Sequence, residues 1–109
     1  MSAPAPARGE VWLADVDKVR PVVVLTRDPF GSLLHGVIAA PVTSTVRDIS
    51  TEVHVGPADG VRRPSVANLD NVQLVARTRL VRRVGRARAA TMTDICQALS
   101  TAVACGDRP

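Results

Sequence analysis

The sequence predicts a mainly β domain, a small barrel with one C-terminal α-helix laid on it. Strand-length apolar runs fill most of the chain and are broken by Gly, Pro and Asp clusters. Only near the end does the apolar period change from about two to about 3.6. At 109 residues there is room for one domain. Residues 8–109 are read as that domain and residues 1–7, with Pro4 and Pro6, as a flexible extended tail.

Glu10–Ala14 reads as a first strand, and Asp15–Val19 as a polar connection. Arg20–Leu25 is a second strand, apolar on both faces and therefore deeply buried or covered by a partner, with Pro21 tolerated near its start. Arg27–Gly31 is a turn, and Gly36–Val42 a third strand with Pro41 near an edge or bulge. Thr51–Val55 alternates, with Thr51, Val53 and Val55 on one face and Glu52 and His54 on the other. Gly56–Gly60 is a strong turn. Ser65–Leu69, Val72–Leu74 and Leu80–Gly85 supply further short strands, the pattern of a small barrel. Met92, Ile95, Leu99 and Val103, joined by Cys96 and Ala102, then recur at helical spacing. Thr91 and Asp94 have capping-box spacing and Gly106 is placed to stop the helix.

Composition narrows the function. Apolar residues make up 46% of the chain, so a folded domain is expected, although its core is thin and dimerisation would help it. Trp12 and Phe30 are the only aromatics, which argues against modules that read bases on several aromatic platforms. Trp12 is better read as core or dimer interface. The net charge is +4, which suits an anionic partner such as nucleic acid or an acidic protein. Thirteen of the 14 basic residues are Arg, however, a usage that a GC-rich genome produces without any function.

Cys96 and Cys105 are expected on one helix as packed, reduced thiols. Nine residues at about 1.5 Å each place them roughly 13.5 Å apart along it, beyond the roughly 7 Å limit of a disulfide. Reduced thiols fit a cytoplasmic protein. No apolar run reaches membrane-span length, and Met1–Ala7 lacks the features of a secretion signal. His35 and His54 read as plain surface residues. No His/Cys/Asp/Glu set has metal-ligand spacing and no phosphate-binding glycine motif occurs, so neither metal nor cofactor is expected.

Polar residues at strand ends remain. Arg20 opens a buried strand, and Thr43, Ser44 and Thr45 close the third, with Arg47 just beyond. In a barrel the two sites can border one groove. A guanidinium grips phosphate oxygens and steadies the charge that builds on them, while hydroxyls orient the scissile group. Equally, Arg20 can pair with Asp15 or Asp17, and Thr43–Thr45 can be an ordinary strand end.

These residues also carry a resemblance. Arg8-Gly-Glu-Val-Trp12, Arg20-Pro-Val-Val-Val-Leu25 and Ala40-Pro-Val-Thr-Ser-Thr45 resemble the three signature blocks of MazF/PemK toxins. Asn68-Leu-Asp-Asn-Val-Gln73 resembles a fourth, and Arg83-Val-Gly-Arg86 with the closing helix resembles the family's C-terminal part. The likeness runs from Arg8 to Cys105 and is nearest to actinobacterial members, which share a short first connection.

The resemblance implies an SH3-like barrel, a homodimer with an RNA groove at the subunit interface, and a small acidic MazE-like antitoxin as partner. It implies a metal-independent, sequence-selective endoribonuclease of single-stranded RNA. The 2′-hydroxyl attacks the adjacent phosphorus, leaving a 2′,3′-cyclic phosphate and a 5′-hydroxyl. On this likeness Arg20 and Thr43 are the catalytic residues, and Lys18, Ser44, Thr45, Arg47 and Asn71 contact RNA. Arg is always protonated and a poor general base, so the proton acceptor is left unassigned. The basic stretch Arg77–Arg88 reads at least as well as a solvated face as an RNA contact. Two alternatives share the fold: a gyrase-poisoning toxin of the CcdB type, although no Trp stands near the C-terminus here, and a non-catalytic RNA- or ribosome-binding barrel.

Overall fold

The computed structural model describes residues 4–105. Seven strands and one helix follow in order: β1 (Glu10–Asp15), β2 (Val19–Val24), β3 (Gly36–Thr43), β4 (Glu52–Val55), β5 (Ser65–Asn68), β6 (Gln73–Ala76), β7 (Leu80–Arg86) and α1 (Ala89–Val103). The strand order is β4-β5-β3-β2-β1-β7, and β6 also pairs with β3. Every pairing is antiparallel.

Strand β3 changes partner along its length. Gly36–Ala39 pair with β6, and Val42 and Thr43 pair with β5. Pro41, which has no N–H to give, lies between the two ladders while its neighbour on the other side is Val22. That switch bends the sheet around the helix, as the alternating apolar pattern requires.

The bending accounts for the doubly apolar β2. Val23 packs with Val11, Ala40, Val42, Val53 and Ala67 beneath Ile95 and Ala98 of the helix. Val22 and Val24 face the opposite way, into a second cluster with Ala14, Val37, Ala39, Val75 and Leu80, flanked by Trp12. All three valines are fully buried within one chain, so this strand does not by itself require a partner subunit. Apolar side chains are left uncovered elsewhere. Ile38 and Leu74 stand opposite each other on β3 and β6 and are 47% and 73% exposed, with Leu33 and Leu34 also exposed.

The helix departs from expectation at both ends. It begins at Ala89, so Thr91 lies inside it and forms no capping box; the N-cap, Arg88, offers no side-chain bond. The buried Asp59, far away in sequence, takes over. Its Oδ1 accepts from the Arg88 N–H at 2.9 Å, the Thr91 hydroxyl at 2.9 Å and Arg88 Nε at 3.3 Å. A carboxylate at a helix N-terminus also complements the helix dipole. Burial pushes the Asp59 carboxyl up, but these bonds outweigh it and hold the group below its ordinary range. At the other end Ala104 takes the left-handed conformation at φ 55°, its N–H reaching the Ser100 and Thr101 carbonyls. Gly106, the expected stop, lies outside the described residues. Val103 does not join the buried stripe and is 57% exposed.

Other expectations are also corrected. Cys96 and Cys105 are free thiols but exposed rather than packed, and Cys105 lies beyond the helix. Of the N-terminal segment read as a tail, residues 4–7 are docked. Pro6 is buried against Gly31, the Pro4 carbonyl accepts from Arg77 Nε, and the Ala7 N–H donates to Glu10 at 2.7 Å. An extended prolyl segment carries little chain entropy to lose on docking.

Candidate active site

Antiparallel register brings the two halves of the site together. Val22 pairs with Pro41, and Val23 with Ala40. Continued two steps towards the strand ends, the same register sets Arg20 opposite Thr43. Both line one open cavity of about 520 Å³, together with Lys18, Ser44 and the chain after β4. A second cavity of about 480 Å³ lies on the other side of Arg20 and holds Asp17, Asp70, Asn71 and Gln73. Arg20 lines both, so it sits on the wall between two compartments.

Arg20 is held and yet under-used. Its side chain is 22% exposed and one terminal nitrogen donates to Asp17 Oδ2 at 2.8 Å. Of the two pairings open to the sequence, Asp17 is the real one. Arg20 Nε, however, is buried and donates to no group among the described residues. A buried N–H without an acceptor is costly. Partial desolvation raises the Asp17 carboxyl. The Lys18 N–H, its own backbone and Arg20 outweigh that and hold it below the usual carboxylate range.

Thr43 Oγ1 accepts from the Thr45 N–H at 3.1 Å, which fixes its rotamer and leaves its own proton available. Thr45 serves that turn and lines neither compartment. Arg47 is also outside both. Its backbone N–H and Nε donate to the Glu52 carboxylate at 2.9 and 3.0 Å, so it shapes the loop after β3 instead of facing the groove. Asn71 is in the second compartment, apart from Thr43.

The structure adds residues that sequence patterns missed. Arg62, Arg63 and Arg82 line the first compartment, and among the described residues no carboxylate does. Asp70 and Gln73 line the second. Asp70 is fixed by its N–H on Asn68 Oδ1 at 3.0 Å and by the Thr51 hydroxyl on its Oδ2 at 2.5 Å; its Oδ1 accepts from no described group. The dibasic pair after the Gly56–Gly60 turn was a visible signal for Arg62 and Arg63. Nothing in the sequence separated Arg82 from its neighbours.

The basic stretch proves to be divided. Arg77 binds the Ser32 and Leu34 carbonyls, Arg83 and Arg86 pair with Glu10, and Arg88 pairs with Asp59. These are structural ties. Of the arginines in the stretch, Arg82 alone lines the first compartment. Trp12 donates to Glu10 at 3.1 Å and packs against the second core cluster, as expected of a core residue. His35 and His54 are exposed. Among the described residues no cluster of potential metal ligands occurs, and no helix is long and apolar enough to cross a membrane.

Comparisons with known proteins agree with this architecture. The chain is 44% identical over 103 residues to a probable endoribonuclease, MazF5, of Mycobacterium tuberculosis, covering 92% of this chain and 94% of that one. It is 37% identical over 92 residues to the endoribonuclease MazF3 of the same species, covering 84% and 89%. Among solved structures, the M. tuberculosis toxin MazF-mt6 superposes with a TM-score of 0.84 at 36% identity, over 87% of this chain and 96% of that one. An endoribonuclease in complex with its cognate antitoxin, from a mycobacterial species, superposes at 0.86 with 31% identity, over 96% and 100%. The model of the PemK-like, MazF-like toxins of type II toxin–antitoxin systems matches residues 7–103, and the chain therefore belongs to that family.

Proposed function

We propose that this protein is a metal-independent endoribonuclease that cleaves single-stranded RNA at the Arg20–Thr43 groove and is neutralised by a small acidic antitoxin. The observation that carries the reading is Arg20, whose buried Nε, beside Thr43, has no acceptor among the described residues, in a cavity that none of their carboxylates lines.

Arg20 binds the scissile phosphate and stabilises the charge that grows on its non-bridging oxygens as the 2′-hydroxyl attacks phosphorus. Thr43 and Ser44 orient the phosphate, with Lys18 beside them. The 5′-oxygen leaves by taking a proton from solvent water in the open groove, and a 2′,3′-cyclic phosphate remains. The acceptor for the 2′-hydroxyl proton comes from the second compartment, where Asp70 keeps Oδ1 free, while Asp17 is committed to Arg20. Asn71 contacts the RNA from the same compartment. The relatives' names and the antitoxin complex of a structural neighbour support the activity and the partner.

Single-turnover cleavage by the wild type, Arg20→Ala and Arg20→Lys tests the reading, with and without EDTA. Arg20→Ala reduces the rate by about 10²–10³, and Lys rescues it only partly because an ammonium lacks the planar fork. New ends carry 5′-hydroxyls, and chelation changes nothing. RNA binding without cleavage by the wild type would instead identify a passive barrel.

A further inference from the structure

We infer that Arg62, Arg63 and Arg82, with Lys18, form a second phosphate subsite that holds the RNA backbone next to the scissile linkage. The inference rests on the endoribonuclease reading above.

Three separate stretches of chain bring these cations to one compartment: the β1–β2 connection, the segment between β4 and β5, and β7. Among the described residues no carboxylate lines it. Most other arginines of the described chain are tied to carboxylates, carbonyls or a ring. Arg8 reaches the Leu25 carbonyl, Arg27 stacks on Phe30, Arg47 holds Glu52, and Arg83 and Arg86 hold Glu10. The side chains of Lys18, Arg62, Arg63 and Arg82 form no hydrogen bond or ion pair among the described residues. Like charges gathered without counterions repel one another, and an anion bound among them relieves that repulsion.

The backbone beneath them is rigid, which a loose surface loop would not be. Gly60 has φ 85°, and a Cβ there would lie 2.5 Å from the Gly85 Cα. The turn is therefore pressed directly onto β7, and this contact sets Arg62 and Arg63 alongside Arg82. Val61 N–H donates to the Gly56 carbonyl at 3.0 Å, and the Ser65 hydroxyl to the Arg63 carbonyl at 3.0 Å. Asp59 ties the same turn to the start of α1. Cations on a preorganised frame lose little entropy on binding.

Because Arg20 and Thr43 share this compartment, a phosphate gripped by the arginine cluster belongs to a linkage near the one being cut. Repeating phosphates on one flexible strand match that arrangement. The three arginines are positioning residues. They contribute binding that is equal in ground and transition states, which lowers KM and leaves kcat unchanged.

The test uses the whole protein and a heptanucleotide RNA carrying a mapped cleavage site. Its companions are a trimer around that site, and the heptamer with one flanking linkage at a time made a neutral methylphosphonate. The wild type is expected to lose on the order of tenfold in kcat/KM on shortening, and also on neutralising one flanking linkage. The Arg62→Ala/Arg63→Ala/Arg82→Ala triple variant should show KM raised about tenfold or more with kcat within about twofold. Its salt dependence should be shallower by about 0.7 in log–log slope, the value for one phosphate contact on a single strand. It should also be indifferent to the trimer and methylphosphonate changes. Arg27→Ala, at the far end of β2 and outside the groove, controls for bulk charge.

Wild-type indifference to both length and flanking charge would overturn the inference, and needs no variant to fold. So would a triple variant that loses kcat at constant KM. If the triple variant keeps its RNA parameters but no longer binds a polyglutamate peptide, the cluster is a protein-docking surface and the inference fails. A wild type that cleaves no RNA at all defeats the endoribonuclease reading as well, which separates the two failures.

Discussion

Removing the buried Asp59 carboxylate is expected to destabilise this fold by several kcal/mol. The side chain is fully buried and serves the Arg88 N–H at 2.9 Å, the Thr91 hydroxyl at 2.9 Å and Arg88 Nε at 3.3 Å. In Asp59→Ala the Arg88 guanidinium, on a half-exposed side chain, returns to water at little cost. The Thr91 hydroxyl, only 3% exposed, cannot. Two stranded donors, the Arg88 N–H and the Thr91 hydroxyl, at about 1–3 kcal/mol each, with the lost helix-end charge at about 0.3–1 kcal/mol, give a total of about 2–7 kcal/mol. For a domain of this size that corresponds to a fall in Tm of roughly 10–30 °C.

Urea and thermal unfolding at one fixed protein concentration check this, since any association makes Tm concentration-dependent. The pH dependence supplies an independent sign. The Asp59 carboxyl is held low in the folded state, so its contribution is present above the ordinary Asp pKa of about 3.9. It is lost as pH falls through the lower folded value. Wild-type stability should therefore drop below about pH 4 more steeply than that of Asp59→Ala. A loss below about 1 kcal/mol, or parallel acid profiles, would refute the capping role.

Four other outcomes are expected. Gly85→Ala places a methyl 2.5 Å from the Gly60 Cα and 2.9 Å from the Asp59 carbonyl; it should destabilise by about 1–3 kcal/mol and raise KM for RNA, both read from denaturation and steady-state kinetics. Asp70→Asn should slow single-turnover cleavage by about 10²–10⁴, the usual range for a general base, while RNA affinity measured by anisotropy holds; cleavage near the wild-type rate would return the proton acceptor to another group. Light scattering at micromolar concentration should give a dimer mass, and Leu74→Lys, on the uncovered β3–β6 face, should shift it towards the monomer. Glu10→Gln should weaken the N-terminal docking held by the Ala7 N–H, Trp12 and Arg83, seen as faster amide exchange around β1 and β7.

The strands were legible because short apolar runs between turn residues, and the alternation of Thr51–Val55 at β4, are local signals. The helix was legible for the same reason, through Ile95 and Leu99 on one stripe. Arg20 and Thr43 stood out as polar residues at the ends of buried strands. What chain order alone could not carry was the partner of each charge. Arg82 and Arg83 are adjacent and chemically identical, yet a strand turns one into the groove and the other onto Glu10. Thr91 had the spacing of a cap, but a carboxylate 32 residues away took its hydroxyl and the helix started earlier. Arg47 looked free until Glu52 folded back on it. The sequence by itself determined the β framework, the closing helix and the two strand ends that meet at the groove, because hydrophobic periodicity is written locally. Which arginines hold the protein together and which three join Lys18 at the groove was decided only by the tertiary structure, because an ion pair depends on distance in space, and the bend of β3 and the Gly60–Gly85 contact set those distances.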